Sequence, residues 1–257
     1  MRQLMKYYIV SGNVVETRVS FLPIREGGRK PRGIRRAGAS SMRKIMHNEK
    51  QEYLRLGRTL NANFPRGYLI TFKYGEGKLP ASYEELCRNG AALCRKLTAL
   101  CRKHGVEIKR VLINANWSPK RKAPARYHHH LVVNEIPLEL VRQLWPEGEI
   151  DIRSLRHGDL TDLAAYLYKN VKAEAGKKHW SPSRNLDKPI YTEPVPVRGA
   201  DDVQAPAGAS QIYQEPGYDE DGRQVGSYLR CVLPEPPKVR GGQIILPKPP
   251  KRGGRKQ

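Results

Sequence analysis

Residues 127–134, YHHHLVVN, predict the strand around which the fold is organised. Side chains on a strand alternate between its two faces, so His128 and His130 share one face, and His129 lies on the other with apolar residues. Two imidazoles on one face, with Cβ atoms roughly 7 Å apart, can hold one divalent cation between them. Hydrogen-bonded histidines on a partly exposed strand are the alternative, and the spacing alone does not decide between the two.

The segments around this strand indicate a domain that contains both helices and strands. Apolar periodicity and β-branched content predict helices at 42–60, 82–104 and 159–174 and strands at 67–74 and 107–114. The connections are too irregular for a doubly wound repeat. This order of elements favours an α+β fold, in which helices pack on one face of an antiparallel sheet.

The predicted helix 82–104 carries a capping signal and a regular series of cysteines. Ser82 at its start is followed three residues later by Glu85, which is the capping-box pattern. The cysteines recur every seven residues, so their sulfur atoms stand about 10 Å apart along the helix axis. That separation excludes a single zinc ion bound by all of them. We expect three small core-facing residues, Cys87, Cys94 and Cys101.

Composition divides the chain into three parts. Residues 1–40 are expected to be a flexible basic arm, because 25–36, REGGRKPRGIRR, is aperiodic and broken by Gly and Pro. Residues 41–190 are expected to be the ordered domain. Residues 191–257 are rich in Pro and Gly, basic at the end, and expected to be largely linker. A short strand near 227–233 is expected to return to the ordered domain.

The charge of the chain points to its class of partner. The 257 residues include 47 Lys and Arg against 25 Asp and Glu, a formal net charge of +22. A surface this basic favours a polyanion, and nucleic acid is the first candidate. No apolar run approaches the ~20 residues of a spanning helix, and the first residues lack the pattern of a signal peptide. We therefore expect a cytoplasmic protein that does not bind membranes.

The predicted helix 159–174 carries the second group of chemically active residues. Tyr166 and Tyr168 lie on opposite flanks of its apolar stripe, and Lys169 is close to Tyr166. A tyrosine beside a lysine and a metal can act as a nucleophile, because positive charge favours its phenolate. Packing against the core is the alternative role for both tyrosines. The stripe itself is expected to be buried and consists of Leu160, Leu163, Ala164, Leu167 and Val171.

Together these groups resemble the HUH endonucleases, and among them the rolling-circle replication initiator (Rep) proteins of bacterial phages and plasmids. The resemblance rests on the His-x-His strand at 127–134, which is followed by Tyr-x-x-Lys at 166–169. Conjugative relaxases place the tyrosine before the histidines, whereas here it follows them. The resemblance covers roughly residues 40 to 190. Further similar segments are RTLNANF at 58–64, GYLITFKY at 67–74, LWPEGEIDIR at 144–153 and WSPSRNLDKP at 180–189.

The resemblance implies an HUH-type antiparallel sheet and a nicking reaction on single-stranded DNA at a replication origin. Tyr166 would attack the scissile phosphate, leaving a 5′-phosphotyrosine and a free 3′-OH, and the strand would later be rejoined. Lys169 would steady the phosphate or the phenolate, and Tyr168 is the fallback nucleophile. A host helicase is a further candidate partner.

The resemblance also implies a divalent metal, Mg²⁺ or Mn²⁺, bound to His128 and His130. The family usually supplies an acidic third ligand from the neighbouring strand, but residues 112–117 read LINANW at that place. Asn114 is the candidate third ligand through its carbonyl oxygen, and Asn116 is the alternative. Waters commonly complete the shell of Mg²⁺.

DNA contact is expected to depend mainly on charge, with aromatic side chains stacking on unpaired bases. The candidate DNA-binding residues are Arg29, Arg32, Arg35, Arg36, Lys120, Arg121, Lys122, Lys177, Lys178, Trp180 and Arg184.

Two other functions remain open on the sequence. A single-tyrosine transposase of the same superfamily would cut and rejoin transposon ends by the same chemistry. A non-catalytic binding module with a Rep-like fold would bind single-stranded nucleic acid in a salt-sensitive way without cleaving it.

Overall fold

The computed structural model describes residues 2–23, 42–146, 148–172, 178–218, 222–240 and 243–247. These residues form an α+β fold in which every pair of neighbouring strands is antiparallel. This confirms the prediction of an α+β fold with antiparallel strands. The chain divides into a central unit, Tyr53–Lys188, and a terminal unit made of Met1–Glu52 and Pro189–Gln257. None of the helices in the described ranges is long and apolar enough to cross a membrane.

Strands and helices follow one another along the described chain in this order: β1 (Arg2–Ser11), β2 (Val14–Pro23), α1 (Met42–Asn63), β3 (Tyr68–Tyr74), α2 (Tyr83–Lys103), β4 (Arg110–Ser118), β5 (Ala123–Val133), α3 (Leu138–Arg142), β6 (Gly148–Ser154), α4 (Thr161–Lys169), β7 (Ser181–Pro182), β8 (Ile190–Tyr191), β9 (Val195–Pro196), β10 (Ser210–Tyr218), β11 (Gln224–Val232), β12 (Lys238–Arg240) and β13 (Gln243–Ile245).

The sheet of the central unit has the strand order β6-β3-β5-β4-β7. Strand β5, which carries the three histidines, therefore lies in the middle, between β3 and β4. Its His129 is in register with Phe72 on β3 and with Asn114 on β4. A central strand has both edges paired, so the side chains of the histidines are held at defined positions along the sheet.

Helices cover both faces of this sheet, which corrects the prediction that they pack on one face. On one face, α2 and α3 pack against β5 through a core that includes Leu97, Leu131 and Val133. On the other face, α1 and α4 pack against it through a core that includes Leu167 and Val132. Because alternate residues of β5 face opposite sides, His129 belongs to the α2 face, and His128 and His130 belong to the α1 and α4 face.

The predicted helices and strands of this unit are present, with shifted ends. Helix α2 begins after Ser82, whose hydroxyl accepts a hydrogen bond from the backbone N–H of Glu85 at 3.2 Å, as the capping pattern predicts. Helix α4 ends at Lys169, five residues before the predicted end at 174. The side chain of Asn170 donates to the carbonyl of Tyr166, and its own carbonyl accepts from two backbone N–H groups of β4. These bonds replace the next turn of helix.

Strand β6 was not predicted. It pairs with β3 along its whole length but lies at the edge of the sheet, where its side chains are at least partly exposed. An edge strand needs few apolar residues, so the segment 148–154, GEIDIRS, gives only a weak strand pattern. This strand contributes two carboxylates to the candidate site.

The expectation of a flexible arm at 1–40 and of a linker over 191–257 is wrong for large parts of both segments. Strands β1 and β2 form a hairpin, and the terminal unit contains a sheet of order β10-β11-β2-β1-β8, with β9 also paired to β1. Its core includes Val15, Val19 and Leu229. The predicted strand at 227–233 exists within β11, but it pairs with β2 and not with the central sheet. The basic segment 24–41 lies outside the described residues.

Amino-acid composition did not predict the sheet of the terminal unit, because that sheet is built from strands at both ends of the chain. Strand β11 alone is half apolar and sits between stretches rich in Pro and Gly, so it resembles linker. Its partner β2 precedes it by about two hundred residues, and pairing over that separation leaves no local pattern.

Candidate active site

The geometry of the site begins with the imidazole of His128. Its Nδ1 lies 2.8 Å from the backbone oxygen of Arg126. A carbonyl oxygen only accepts, so Nδ1 carries the proton, and Nε2 of the neutral ring presents a lone pair. Burial lowers the pKa of His128 below its ordinary value, with a smaller contribution from Lys73.

The second imidazole, His130, lies beside the first, with the two Nε2 atoms 3.1 Å apart. Its Nδ1 lies 3.0 Å from the hydroxyl of Thr71 on β3. Burial, followed by the charge of His128, lowers the pKa of His130 to about 3. Both rings are therefore neutral at physiological pH. Each has its Nδ1 atom hydrogen-bonded to an oxygen, as histidine metal ligands in proteins do.

Tyr166 faces the same place from helix α4. Its ring centroid is 5.9 Å from that of His130, and its side chain is 48% exposed. Tyr166, His128 and His130 line one cleft of about 870 Å³, which also contains Thr71. The cleft therefore holds a half-exposed phenol within reach of two neutral imidazoles.

Helix α4 is anchored to α1 at its start. The side chain of Asn61 accepts from the backbone N–H of Leu160 at 2.7 Å and donates to the carboxylate of Asp159 at 3.1 Å. The same carboxylate accepts from the backbone N–H of Thr161 at 2.9 Å. The predicted apolar stripe of α4 is largely buried in the core beneath it. The position of Tyr166 is thus determined by contacts on both sides of its helix.

Tyr168 and Lys169 are placed elsewhere. The ring of Tyr168 stacks on that of His179, with centroids 4.2 Å apart and planes within 6° of parallel. Lys169 is exposed on the last turn of α4. Among the described residues that line the cleft, neither of them occurs. The structure thus brings Tyr166, and not Tyr168, to the histidines.

Asn114 does not join the two histidines, which corrects the prediction that it supplies the third metal ligand. Its Oδ1 lies 2.7 Å from Nδ1 of His129, on the α2 face of the sheet. In the register of β4, Asn114 is opposite His129, so its side chain points away from His128 and His130. The alternative, Asn116, is bonded to the backbone of Lys172.

His129 occupies the core side of the strand, as predicted. It is fully buried, and its Nε2 lies 2.7 Å from the hydroxyl of Tyr74. Burial lowers its pKa to about 3. With Asn114 on Nδ1 and Tyr74 on Nε2, both ring nitrogens are satisfied, so this histidine has a structural role.

The carboxylates of the cleft come from β6. Asp151 is in register with Thr71, which is in turn in register with His130, and Glu149 lies two residues earlier. Both line the cleft, and each is in an ion pair: Asp151 with Arg153 at 2.8 Å, and Glu149 with Lys73 at 3.4 Å. The sequence analysis missed these residues, although LWPEGEIDIR was among the segments that resembled the Rep family.

The residues of the cleft supply only part of the ligand set that a divalent metal needs. The described residues contain no group of three or more His, Cys, Asp or Glu side chains arranged around one point. The two Nε2 atoms of the histidines lie 3.1 Å apart, and that of His128 presents a lone pair. Nδ1 of His130 faces the hydroxyl of Thr71, which can donate or accept. The donor set therefore provides two nitrogen ligands, with carboxylates nearby that are engaged in ion pairs.

The predicted DNA-binding residues fall in three places. Arg121 lines the cleft, and Lys120 and Lys122 are exposed on the same turn between β4 and β5. Lys178 and Trp180 line a separate groove beside α2. The remaining exposed candidate in the described ranges is Arg184. Outside the described residues lie Arg29, Arg32, Arg35, Arg36 and Lys177.

Further cations in the cleft were not predicted. Lys73, Arg126 and Arg153 all line it. Arg126 donates to the backbone oxygens of Tyr74 and Gly75 at 2.8 and 3.0 Å, which ties the end of β3 to β5. The cleft thus combines a nucleophile and an imidazole pair with several cations suited to a phosphate ligand.

No family model matches this chain, and neither a curated protein nor a solved structure matches it. The function proposed below therefore depends on the geometry of the cleft and on the sequence motifs.

Proposed function

We propose that this chain is an HUH-type tyrosine endonuclease that nicks single-stranded DNA at a replication origin and later rejoins the strand. The observation that carries the proposal is the cleft that Tyr166 shares with His128 and His130. The order of these residues along the chain and the antiparallel sheet under them agree with what the resemblance to Rep proteins implies.

In the proposed reaction, the phenol oxygen of Tyr166 attacks the scissile phosphorus in line. A bond forms between Tyr166 Oη and phosphorus, and the bond from phosphorus to the 3′ oxygen breaks. The phenol loses its proton to solvent, which its half-exposed position allows, and the departing 3′ oxygen takes one up. The phosphotyrosine conserves the energy of the phosphodiester, so a later 3′-OH can reverse the attack without ATP.

The basic residues of the cleft would hold the substrate. Arg121, Lys73 and Arg153 line it, and guanidinium groups bind phosphate oxygens with two parallel hydrogen bonds. Lys73 and Arg153 are paired with carboxylates in this structure, so they would exchange those carboxylates for phosphate when DNA binds.

His128 and His130 would hold a divalent metal through their Nε2 atoms, and Asp151 is the carboxylate that could join them. When bound, Mg²⁺ or Mn²⁺ would polarise the scissile phosphate as a Lewis acid. The chain itself contributes the neutral state of both rings through burial, and their orientation through the backbone of Arg126 and the hydroxyl of Thr71.

A covalent-adduct assay tests the proposal. Full-length protein with Mn²⁺ is incubated with single-stranded oligonucleotides tiled over the DNA element that encodes it. The label is at the 3′ end, because the covalent product keeps the strand on the 3′ side of the nick. We expect a labelled protein band on a denaturing gel that is lost in Tyr166→Phe and in His128→Ala/His130→Ala.

The matched control is Tyr168→Phe, which changes a tyrosine on the same helix outside the cleft. It should keep the adduct. Loss of the adduct in Tyr168→Phe alone would assign the chemistry to the other tyrosine. No adduct with any oligonucleotide would overturn the proposed reaction.

One observation favours a second candidate function. Since no third His, Cys, Asp or Glu joins the histidine pair within the described residues, the metal site is incomplete as it stands. A module that binds single-stranded nucleic acid without cleaving it would need no such ligand. It would show salt-sensitive binding that Tyr166→Phe leaves unchanged.

A further inference from the structure

A second groove lies on the opposite face of the central sheet from the histidine pair. It has a volume of about 540 Å³ and is bounded by α2, by β4 and by the segment that contains β7. Ser183 and Arg110 exchange two hydrogen bonds, which attach this segment to β4: Ser183 N to Arg110 O at 2.8 Å and Arg110 N to Ser183 Oγ at 3.0 Å. One wall of the groove is therefore held to the sheet by hydrogen bonds.

The groove is lined by cations. Arg95 from α2, Arg110 from β4 and Lys178 all line it, and no Asp or Glu does so in the described ranges. The Nε atom of Arg110 is shielded from solvent and has no hydrogen-bond partner among the residues that the structure describes. A guanidinium nitrogen without an acceptor is costly in free energy. Because Nε itself is shielded, an anionic ligand would offset that cost through its charge on the guanidinium group.

The two arginines line the same groove. Both act on the thiol of Cys94: burial raises its pKa to about 11, and the charges of Arg110 and Arg95 oppose that rise. Two guanidinium groups that line one groove repel each other, and a phosphate between them would relieve the repulsion. Arg95 is exposed and Arg110 half-buried, so a ligand can reach the pair from solvent.

Aromatic side chains complete the groove. Trp180 and Tyr83 both line it, and both are partly buried. A basic groove with aromatic surfaces is the arrangement by which proteins bind single-stranded nucleic acid, since the cations bind phosphates and the rings stack on bases. An inorganic anion would use only the cations.

We propose that this groove, the Arg95–Arg110 groove, binds a nucleotide of single-stranded DNA, with its phosphate on the two guanidinium groups and its base against Trp180. The site is distinct from the cleft of Tyr166 and does not require the nicking reaction. In a nicking enzyme it would hold the strand at a distance from the scissile phosphate.

Cys87 provides a direct readout of the groove. It lines the groove and is half-buried, whereas the other three cysteines of the chain are buried. The experiment uses full-length Tyr166→Phe protein, so that no strand is cut, and measures the alkylation rate of Cys87 by N-ethylmaleimide with peptide mass spectrometry. We compare twelve-residue oligothymidylate, thymidine monophosphate and inorganic phosphate.

With oligothymidylate at ten times its dissociation constant, we expect alkylation of Cys87 to slow about tenfold, because about nine tenths of the grooves are occupied. Arg95→Gln/Arg110→Gln should abolish this protection. Lys96→Gln, which removes an exposed cation from the same helix outside the groove, should leave it intact. If the double variant fails to fold by circular dichroism, Arg95→Gln alone serves, since that side chain is exposed.

Two results would overturn the inference. Unchanged alkylation of Cys87 while the oligonucleotide is bound, as measured by fluorescence anisotropy, would show that DNA does not enter the groove. Equal protection by inorganic phosphate would show a simple anion site. The proposed nicking function is tested separately, by whether the wild-type chain forms a covalent adduct with DNA.

Discussion

Asn116 on β4 and Lys172, three residues beyond α4, are joined by two reciprocal hydrogen bonds. The backbone N–H of Lys172 donates to Asn116 Oδ1 at 2.8 Å, and Asn116 Nδ2 donates to the carbonyl of Lys172 at 3.2 Å. The ammonium of Lys172 also lies 4.3 Å from the ring centroid of Trp117. Because Tyr166 is on α4, this junction connects its position to the strand next to the histidines.

We expect Asn116→Ala to destabilise the protein by about 1–2 kcal/mol, since both hydrogen bonds are lost. The rate of adduct formation should fall by a larger factor than the fraction of folded protein. The nucleophile Tyr166 is still present in this variant, but the end of α4 is no longer hydrogen-bonded to β4. Urea unfolding and single-turnover adduct assays measure the two effects. Asn116→Asp keeps the hydrogen-bond acceptor, so its stability and its adduct rate should lie between those of the wild type and those of Asn116→Ala. An Asn116→Ala protein with wild-type adduct rate would contradict this positioning role.

Thr71→Val removes the hydroxyl beside Nδ1 of His130 without changing the size of the side chain much. Since such partners orient metal-binding histidines, we expect the affinity for Mn²⁺ to fall about 10–100-fold. Calorimetric titration of Tyr166→Phe protein measures it independently of cleavage. Thr59→Val on α1, whose hydroxyl donates to the backbone oxygen of Arg55 on its own helix, is the matched control. Equal affinities in the two variants would argue against the histidine pair as the metal site.

Gly90 on α2 faces the hydrogen bond between Asn114 and His129. A Cβ atom there would lie 2.5 Å from Asn114 Oδ1 and 3.0 Å from His129 Cε1. Alanine at an ordinary helical position is favoured over glycine by about 1 kcal/mol. We expect the opposite sign here, with Gly90→Ala destabilising by about 1–3 kcal/mol through overpacking.

A double-mutant cycle checks the cause of the Gly90 effect. Asn114→Ala removes the oxygen that a new Cβ would meet, so Gly90→Ala should cost less in that background. Additive costs in urea unfolding would show that the contact with Asn114 is not responsible.

The cysteines should differ in reactivity. Burial raises the pKa of Cys94 and of Cys231 to about 11, so both remain protonated at pH 8 and lack the reactive thiolate. Cys87 is half-buried and should be alkylated first in the native protein. Time-resolved mass mapping with N-ethylmaleimide measures the order. Early labelling of Cys94 or Cys231 at pH 8, without unfolding, would contradict the structure.

Removal of residues 1–40 tests the terminal unit. Val15 and Leu229 are almost completely buried in its core, and β2 is the inner neighbour of β11. We therefore expect the truncated chain to lose hydrogen-exchange protection across β11, while β5 in the central unit stays protected. Unchanged protection of β11 would mean that the hairpin is the removable arm that composition suggested.

Local patterns predicted the parts of the site that depend on one element. The alternation of YHHHLVVN places His128 and His130 on one face and His129 on the other, because the side-chain period of a strand is two. The stripe of α4 predicted its buried face, and Leu160, Ala164, Leu167 and Val171 are indeed buried. Ser82 marked the start of α2 because a helix end needs a local acceptor.

Relationships between elements were not predictable in this way. Asn114 was assigned to the histidines because it lies on the neighbouring strand, but the register of β4 places it opposite His129. A shift of one residue in register moves a side chain to the other face, and the sequence of a strand does not state its register. Asp151 was missed for a related reason, since β6 joins the site only through its pairing with β3.

The amino-acid sequence is enough to tell which side chains each element carries and which face of it they share, because these follow from the period of a helix or a strand. The basic charge of the chain is also set by the sequence alone. Folding brings Tyr166 and not Tyr168 to the histidines, joins the end of α4 to Asn116, and places strands from the two ends of the chain in one sheet. These depend on strand order, register and helix docking, which arise from contacts between residues far apart in the chain.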